Sequence, residues 1–292
     1  MLSIVVVFFN MPREARRTLY SLSTNYQQGV KADQYEVIAV DNGSPRPLDG
    51  DMVSAHGPNF RYHFHDTDAV SPVEAVNLGV EMARGEFVAV IVDGARMASP
   101  GLMKYTLRAL AMYQDPVVGA LSWHLGPDVQ NKSMLNGYNQ QVEDELLESI
   151  GWPDAGYRLF EVSTLAQSSA KGFLSGMPAE LSWLCIRRDT FLDVGGFCPE
   201  FRSKGGGLVN HHIRDRLVKS EGITPVMLLG EGVFHQFHGG VATNVPMQQH
   251  PLKEYKEEYQ RVVGKPFKWT PTPPVIYFGH MPPASRRFII AD

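Results

Sequence analysis

Short apolar runs alternate with amphipathic stretches along the first 125 residues. Runs rich in β-branched and aromatic residues are typical of strands buried on both faces of a sheet. They predict strands at Leu2–Phe9, Tyr35–Val40, Phe60–His65, Phe87–Val92 and Val118–Trp123. The amphipathic stretches between them predict helices. This alternation indicates an α/β fold with a mostly parallel sheet and helices on both faces.

The best-marked helix follows the third predicted strand. Ser71 is placed to cap it, Pro72 suits its first position, and Glu74 completes a capping box. Gly85 follows its expected end. Further helices are predicted from Pro12, from Pro100 and over Asn139–Ile150, Arg188–Asp193 and Leu208–Lys219.

The pattern loosens after residue 125, with strands expected near Leu181–Ile186 and Thr224–Leu229. From Pro251 onward one amphipathic helix is followed by a proline-rich extended run. The predicted organisation is therefore two halves of one domain, 1–125 and 126–250, with a C-terminal extension over 251–292.

Composition narrows the class of protein. The 292 residues are 43% hydrophobic and 20% charged, which indicates a globular protein. Lys+Arg is 27 and Asp+Glu is 31, so 27 − 31 gives a net charge of −4, and no nucleic-acid partner is expected. No apolar run approaches the roughly 20 residues of a membrane span. With two cysteines, a reduced cytoplasmic setting is predicted.

Polar residues stand at or just past the ends of three predicted strands: Asn10, Asp41 and Asp93. In an open α/β sheet, ligands bind in the crevice at the carboxyl ends of the strands. A carboxylate there can accept hydrogen bonds from a base or ribose, or bind a hard cation. A single such aspartate is more often a turn or cap residue, but several at one edge indicate a site.

Two histidines, His235 and His238, stand three residues apart before a glycine pair. Imidazole is a common metal ligand. Alternation along a straight strand would place the two on opposite faces, which favours one ligand rather than two. A polar loop with incidental histidines is the alternative.

Three glycines, Gly205 to Gly207, precede the helix predicted over Leu208–Lys219. They permit close approach of a ligand, or form a hinge. Neither a P-loop nor the GxGxxG fingerprint is present. Trp183 and Glu180 are a further candidate pair, since a tryptophan face stacks on sugar rings and a carboxylate binds sugar hydroxyls. Core packing is the alternative for Trp183.

Taken in order, the strings SIVVVFFN, VDNGS, AVNLG with ARGE, VIVDG, RDTF with VGGF, and the His235 segment resemble family-2-type glycosyltransferases of the GT-A fold. The resemblance covers roughly residues 1–245. It implies a nucleotide-diphosphate sugar donor of the UDP or GDP type, bound by the half 1–125, and an acceptor of unknown identity bound by the half 126–250.

The resemblance also implies roles for individual residues. Asp41 would contact the base, Asn77 would line the nucleotide pocket, and Asp93 would take the place of the family's DxD motif, binding Mg²⁺ or Mn²⁺ on the diphosphate. Three sets of site residues are expected: nucleotide-binding Phe9, Asn10, Asp41, Asn77, Asp93 and Arg96; acceptor- or sugar-binding Trp183, Gly206, Gly207 and Asn210; and metal-binding Asp93, His235 and His238.

Two departures from the family pattern affect the chemistry. The second acid of DxD is replaced, since the stretch reads Asp93-Gly94-Ala95, and Arg96 could supply charge to the diphosphate instead. The acidic pair that usually carries the general base is also absent. His212 and Glu180 are the primary replacements, with His211 and Glu200 as further ones. Inverting and retaining mechanisms both stay open.

Two other functions compete with a metal-dependent transferase. The missing acids suggest a non-catalytic relative that binds nucleotide sugars or glycans. A nucleotidyltransferase is disfavoured, because it would carry a basic, glycine-rich loop after its first strand, where this chain has Asn-Met-Pro-Arg-Glu.

Overall fold

A computed structural model describes residues 1–167, 170–271 and 273–289. Within them ten strands form one sheet, whose main path runs β10-β9-β6-β8-β4-β1-β2-β3, with β5 paired to β9 and β7 to β6. The strands are β1 (Leu2–Phe8), β2 (Tyr35–Asn42), β3 (Phe60–His65), β4 (Phe87–Ile91), β5 (Arg96–Ala98), β6 (Pro116–Leu125), β7 (Ser163–Leu165), β8 (Leu184–Arg187), β9 (Thr224–His235) and β10 (Ile276–Gly279).

Helices connect and cover these strands. They are α1 (Pro12–Ser21), α2 (Gly50–Ser54), α3 (Val73–Glu81), α4 (Leu102–Met112), α5 (Gln130–Ser133), α6 (Gln140–Ser149), α7 (Arg188–Asp193), α8 (Val209–Leu217), α9 (Leu252–Val263) and α10 (Pro283–Arg286). Among the described residues, no helix has the length and hydropathy that crossing a bilayer requires.

The α/β prediction is confirmed. Five strand pairs are parallel, including the central β4-β1-β2-β3 ladder. β8 is inserted antiparallel between β4 and β6, and the short β5 and β7 are also antiparallel. Strands from both predicted halves share this sheet; the boundaries at 125 and 250 stay a prediction.

The sheet has an apolar layer on each face because side chains of a strand alternate in direction. In β1, Val5 and Val7 pack in the cluster that includes Val76 of α3. Ile4, Val6 and Phe8 pack on the opposite face with the cluster that includes Leu19 of α1 and Leu102 of α4. This two-sided burial explains the continuous apolar runs.

The parallel register brings the candidate polar residues to one edge. Phe8 is level with Asp41 across β1 and β2, and Val6 is level with Ile91, so Asp93 follows directly at that edge. On the other side of the sheet, β6 and β9 run parallel and place His124 level with His235.

Three predictions about local structure are wrong. Ser71 does not cap α3, because its hydroxyl donates to the carbonyl of Phe201 at 2.8 Å and the N-cap residue is Pro72. The strand predicted to end at Leu229 continues to His235, through Gly230 at a φ of 66°. The proline-rich tail is not simply extended, since it contributes β10 and α10. Its last residues, 290–292, lie outside the described part of the chain.

Candidate active site

Asp93 begins a tight turn between β4 and β5. The Ala95 backbone N–H donates to Asp93 Oδ1 at 3.1 Å, which leaves Oδ2 for other partners. A Cβ on Gly94 would lie 2.2 Å from Phe8 Cδ1, so this position requires glycine. Ala95 is fully buried, and an acid there would be enclosed by protein. The loss of the second DxD acid therefore fits the packing of this turn.

His235 and His238 both meet Asp93 Oδ2. The distances are 2.8 Å from His235 Nε2 and 3.5 Å from His238 Nε2, and the two nitrogens are 3.1 Å apart. The expectation that strand alternation separates the histidines is wrong. The strand ends at His235, and the turn that follows returns His238 to the same side.

The charges of these three groups are strongly coupled. Burial alone would raise the pKa of the Asp93 carboxyl, but His238 and His235 hold it well below its usual range. Burial lowers the pKa of His235 to about 4, against the opposing effect of Asp93. Burial also acts to lower the pKa of His238, but Asp93 outweighs it and the pKa is raised. Asp93 is therefore an ionised carboxylate, and the His235 ring beside it is neutral.

Arg96 lies beside this cluster. Its Nη2 is 3.9 Å from Asp93 Oδ2, and its Nη1 donates to Ser122 Oγ at 2.6 Å. His124 stacks edge-on against His235 at 5.4 Å, and burial holds its pKa well below the usual value. The site thus has the Arg96 cation and the imidazoles of His124, His235 and His238 clustered around the Asp93 carboxylate.

The predicted nucleotide-binding residues differ in their availability. Phe9 and Asn10 are exposed at the sheet edge, where the Asn10 backbone N–H donates to Ser44 Oγ at 2.7 Å. Asp41 is fully buried, and its two oxygens accept from the N–H groups of Ser44 and Leu48 at 3.0 and 2.8 Å. Asp41 therefore shapes the loop after β2 with its side chain.

Asn77 does not have a free amide facing a pocket. Its Nδ2 donates to the carbonyl of Phe197 at 2.8 Å, and its Oδ1 accepts from the Phe197 N–H at 3.0 Å. The expectation that Asn77 lines the nucleotide pocket is corrected to a structural role, because both ends of its amide hold the Gly195-Gly196-Phe197 turn.

Trp183 also has a structural position. It is fully buried in the α4-side core, and its Nε1 donates to Thr106 Oγ1 at 3.1 Å. It has no exposed face for a sugar. The glycines have positive φ values, 85° at Gly206 and 54° at Gly207, and pack beside Pro72 and Glu258 respectively.

Glu180 and Asn210 come together, whereas His212 is directed elsewhere. Asn210 Nδ2 donates to Glu180 Oε1 at 3.1 Å, and both side chains are partly exposed. Leu184 pairs with Val90 in the antiparallel β4–β8 ladder, so the residues before Leu184 run along the edge that carries Asp93. The His212 ring packs against Phe201 and Tyr259, and burial lowers its pKa to about 4.

Several residues at the site were not anticipated from sequence. Gln130 and Asn244 contact the histidine segment through side-chain amides. Glu143, which is fully buried, accepts from the Phe237 N–H at 2.8 Å and pairs with Arg13. Trp269 is 61% exposed and meets His211 edge-on at 5.1 Å. Gln130, Glu143 and Trp269 lie far along the chain from these partners, so no local sequence signal marks the contacts.

The sheet and its switch in strand direction are those of a GT-A fold. Residues 3–94, about the N-terminal third of the chain, match the model of Glycosyl transferase family 2. The match and the fold confirm the resemblance that the motifs indicated. No curated protein matches the sequence significantly.

Solved structures similar to this chain include S. aureus TarS, at 15% identity and a TM-score of 0.54, covering 82% of this chain and 37% of TarS. The 1–349 segment of TarS in complex with UDP matches at 16% identity and a TM-score of 0.54, covering 82% of this chain and 61% of the segment. The same segment in complex with UDP-GlcNAc matches at 16% identity and a TM-score of 0.52, covering 82% of this chain and 59% of the segment. At this identity the likeness establishes the fold, and the chain spans well under two thirds of TarS.

Proposed function

We propose that this protein transfers a sugar from a nucleotide-diphosphate sugar to an acceptor, with Mg²⁺ or Mn²⁺ bound by Asp93, His235 and His238. The observation that carries the proposal is the convergence of three ligand atoms, all within 4.8 Å of one another, at the carboxyl edge of a GT-A sheet.

The donor atoms fit a divalent ion. Ligands about 2.1 Å from one octahedral ion lie about 3.0 Å from each other, close to the 2.8 to 3.5 Å found here. The carboxylate is a ligand type that suits Mg²⁺ and Mn²⁺, and solvent and diphosphate oxygens would complete the coordination. When bound, the ion supplies Lewis-acid stabilisation of the charge on the leaving diphosphate.

We place the nucleotide beside the ends of β1 and β2, where Phe9 and Asn10 are exposed. UDP is the first donor nucleotide to test, because the similar TarS segment was solved in complex with UDP and with UDP-GlcNAc. Arg96 adds a positive charge that diphosphate binding would use. The guanidinium would neutralise part of the diphosphate charge, which in other family members is neutralised by the metal ion that both DxD acids hold.

Glu180 is the residue we place at the acceptor hydroxyl. It is partly exposed and oriented by Asn210, whereas His212 lies against aromatic rings with a depressed pKa. As a carboxylate, Glu180 would accept the proton of the attacking hydroxyl in an inverting transfer. Trp269, half-buried Phe267 and His211 form an adjacent aromatic surface on which an acceptor sugar could stack.

Turnover without an acceptor offers a direct test. The metal-stripped protein is incubated with UDP-, GDP-, CDP- or dTDP-sugars, with and without Mn²⁺, and free nucleoside diphosphate is measured. Slow hydrolysis of one donor class that requires Mn²⁺ supports the transferase. Binding of a nucleotide sugar without turnover, even with a broad panel of glycan acceptors, would favour the non-catalytic relative. If the protein neither binds nor turns over any of these donors, the proposal is contradicted.

A further inference from the structure

Gln130 lies behind His235, on the side of the ring away from Asp93. Its Oε1 is 2.8 Å from His235 Nδ1, and its Nε2 donates to the backbone carbonyl of the same histidine at 2.9 Å. Gln130 and His235 are fully buried, and 105 residues separate them in the chain. One side chain therefore holds both the ring and the backbone of a proposed metal ligand.

The orientation of the neighbouring Asn244 amide is fixed by the backbone. Its Oδ1 accepts from the N–H groups of His238, Gly239 and Gly240 at 3.2, 2.9 and 2.9 Å. Because three N–H donors require an oxygen, the other end of the amide must be Nδ2. That nitrogen donates to Gln130 Oε1 at 2.9 Å.

The same reasoning fixes Gln130. Asn244 Nδ2 is a donor, so the Gln130 atom that faces it must be the oxygen. The His235 carbonyl is an acceptor, so the Gln130 atom that faces it must be the nitrogen. The atom of Gln130 beside His235 Nδ1 is therefore the oxygen. A carbonyl oxygen can only accept, so Nδ1 must carry the proton. In a neutral ring with Nδ1–H, Nε2 has only a lone pair, so its 2.8 Å contact with the ionised Asp93 Oδ2 is favourable only when a metal ion or a second ring proton lies between the two atoms.

We infer that Asn244 and Gln130 form a positioning relay that sets the tautomer of His235 and so makes Nε2 available as a metal ligand. This inference rests on the proposed metal site. Outer hydrogen bonds of this kind typically change metal affinity by about 10- to 100-fold. The relay also joins the two proposed histidine ligands, since Asn244 holds the turn that carries His238.

The chain provides a matched control. Asn131, next to Gln130 on α5, anchors the same loop through its Nδ2, which donates to the carbonyls of Ala242 and Val245 at 2.9 and 2.7 Å. It is separate from the relay, so Asn131→Ala loosens the loop without changing the partner of Nδ1.

The test measures Mn²⁺ dissociation constants by electron paramagnetic resonance of the free ion. We expect Gln130→Leu to weaken Mn²⁺ binding by about 10- to 100-fold. Asn131→Ala retains Gln130 and both of its contacts with His235, so it should stay within about threefold of the wild type. Equal losses in Gln130→Leu and Asn131→Ala, or no loss in Gln130→Leu, would overturn the relay.

A second measurement separates the relay from the metal site itself. Nitrogen-15 NMR of the imidazoles in metal-free wild type and Asn244→Asp reports which ring nitrogen of His235 is protonated. We expect Nδ1–H in the wild type and a changed tautomer population in the variant. An Nδ1 without a proton in the wild type would overturn the inference. Absence of Mn²⁺ binding by the wild type, with Nδ1–H observed, would overturn the proposed metal site instead.

Discussion

The side chain of Asn77 pairs with both backbone groups of Phe197, 120 residues further along the chain. The pairing links α3 to the Gly195-Gly196-Phe197 turn. Arg216 reinforces it, because its guanidinium donates to the carbonyls of Val194 and Gly196. The turn is therefore held from two directions by side chains that sequence alone would assign to solvent or ligand.

Asn77→Ala should destabilise the protein rather than weaken nucleotide binding. Loss of two hydrogen bonds at about 1 kcal/mol each, with buried backbone groups left unpaired, gives an expected loss of about 2–4 kcal/mol in the free energy of unfolding. Urea denaturation measures this loss, and titration with UDP measures binding. An unchanged unfolding midpoint with UDP affinity reduced tenfold or more would restore Asn77 to the nucleotide pocket.

Replacing each of the two primary candidate bases, Glu180 and His212, by glutamine should separate their roles. Glu180→Gln removes the group that we place at the acceptor hydroxyl, so kcat should fall by about 10²- to 10⁴-fold with little change in donor binding. His212→Gln should leave kcat within a few-fold. Steady-state kinetics of both variants with one acceptor decides the matter. The reverse ranking, with His212→Gln inactive and Glu180→Gln active, would rule out the assignment.

The fold was more predictable than the site, for a physical reason. The two-sided burial of β1 and β4 leaves continuous apolar runs, and Asp93 follows such a run directly. By contrast, Trp183 and Trp269 cannot be distinguished by residue type: the first is fully buried and the second is 61% exposed. Their difference depends on long-range packing of segments that have no periodicity. The contacts of the Gln130 and Asn244 amides with the histidine segment could not be predicted from the sequence either, because the fold determines which groups they meet.

The two tryptophans should respond differently to substitution. Trp269→Ala removes an exposed aromatic surface, and the KM for a glycan acceptor should rise about three- to tenfold, corresponding to about 0.7–1.4 kcal/mol. Donor KM should not change. Trp183→Phe leaves the buried Thr106 hydroxyl without its donor and should lower stability by about 1–3 kcal/mol, with acceptor KM unaffected. An acceptor effect in Trp183→Phe alone would contradict this distinction.

Glu231 gives the protein a predicted pH dependence of stability. Burial raises the pKa of this carboxyl from 4.5 to about 7, even though Ser99, Tyr157 and the Gly101 N–H donate to it. A folded-state pKa above the unfolded value means that the stabilising contribution is complete below pH 4.5. It is lost as the pH rises through 7, by about 3 kcal/mol in total.

Comparing Glu231→Gln with the wild type isolates that contribution. The variant cannot ionise at this position, so its unfolding free energy should decline less between pH 4.5 and pH 8, by a difference on the order of 3 kcal/mol. Chemical denaturation at several pH values gives both curves. Parallel curves for the two proteins would show that Glu231 does not titrate in this window.

The most direct test of the metal-assisted donor site is calorimetric titration of UDP into the metal-free protein, with and without Mn²⁺, for the wild type and Asp93→Asn. Asp189→Asn, at an exposed position on α7, is the matched charge control. We expect Mn²⁺ to strengthen UDP binding at least tenfold in the wild type and in Asp189→Asn, and to have little effect in Asp93→Asn. Equal enhancement by Mn²⁺ in Asp93→Asn, or none in the wild type, would contradict a metal at Asp93, His235 and His238.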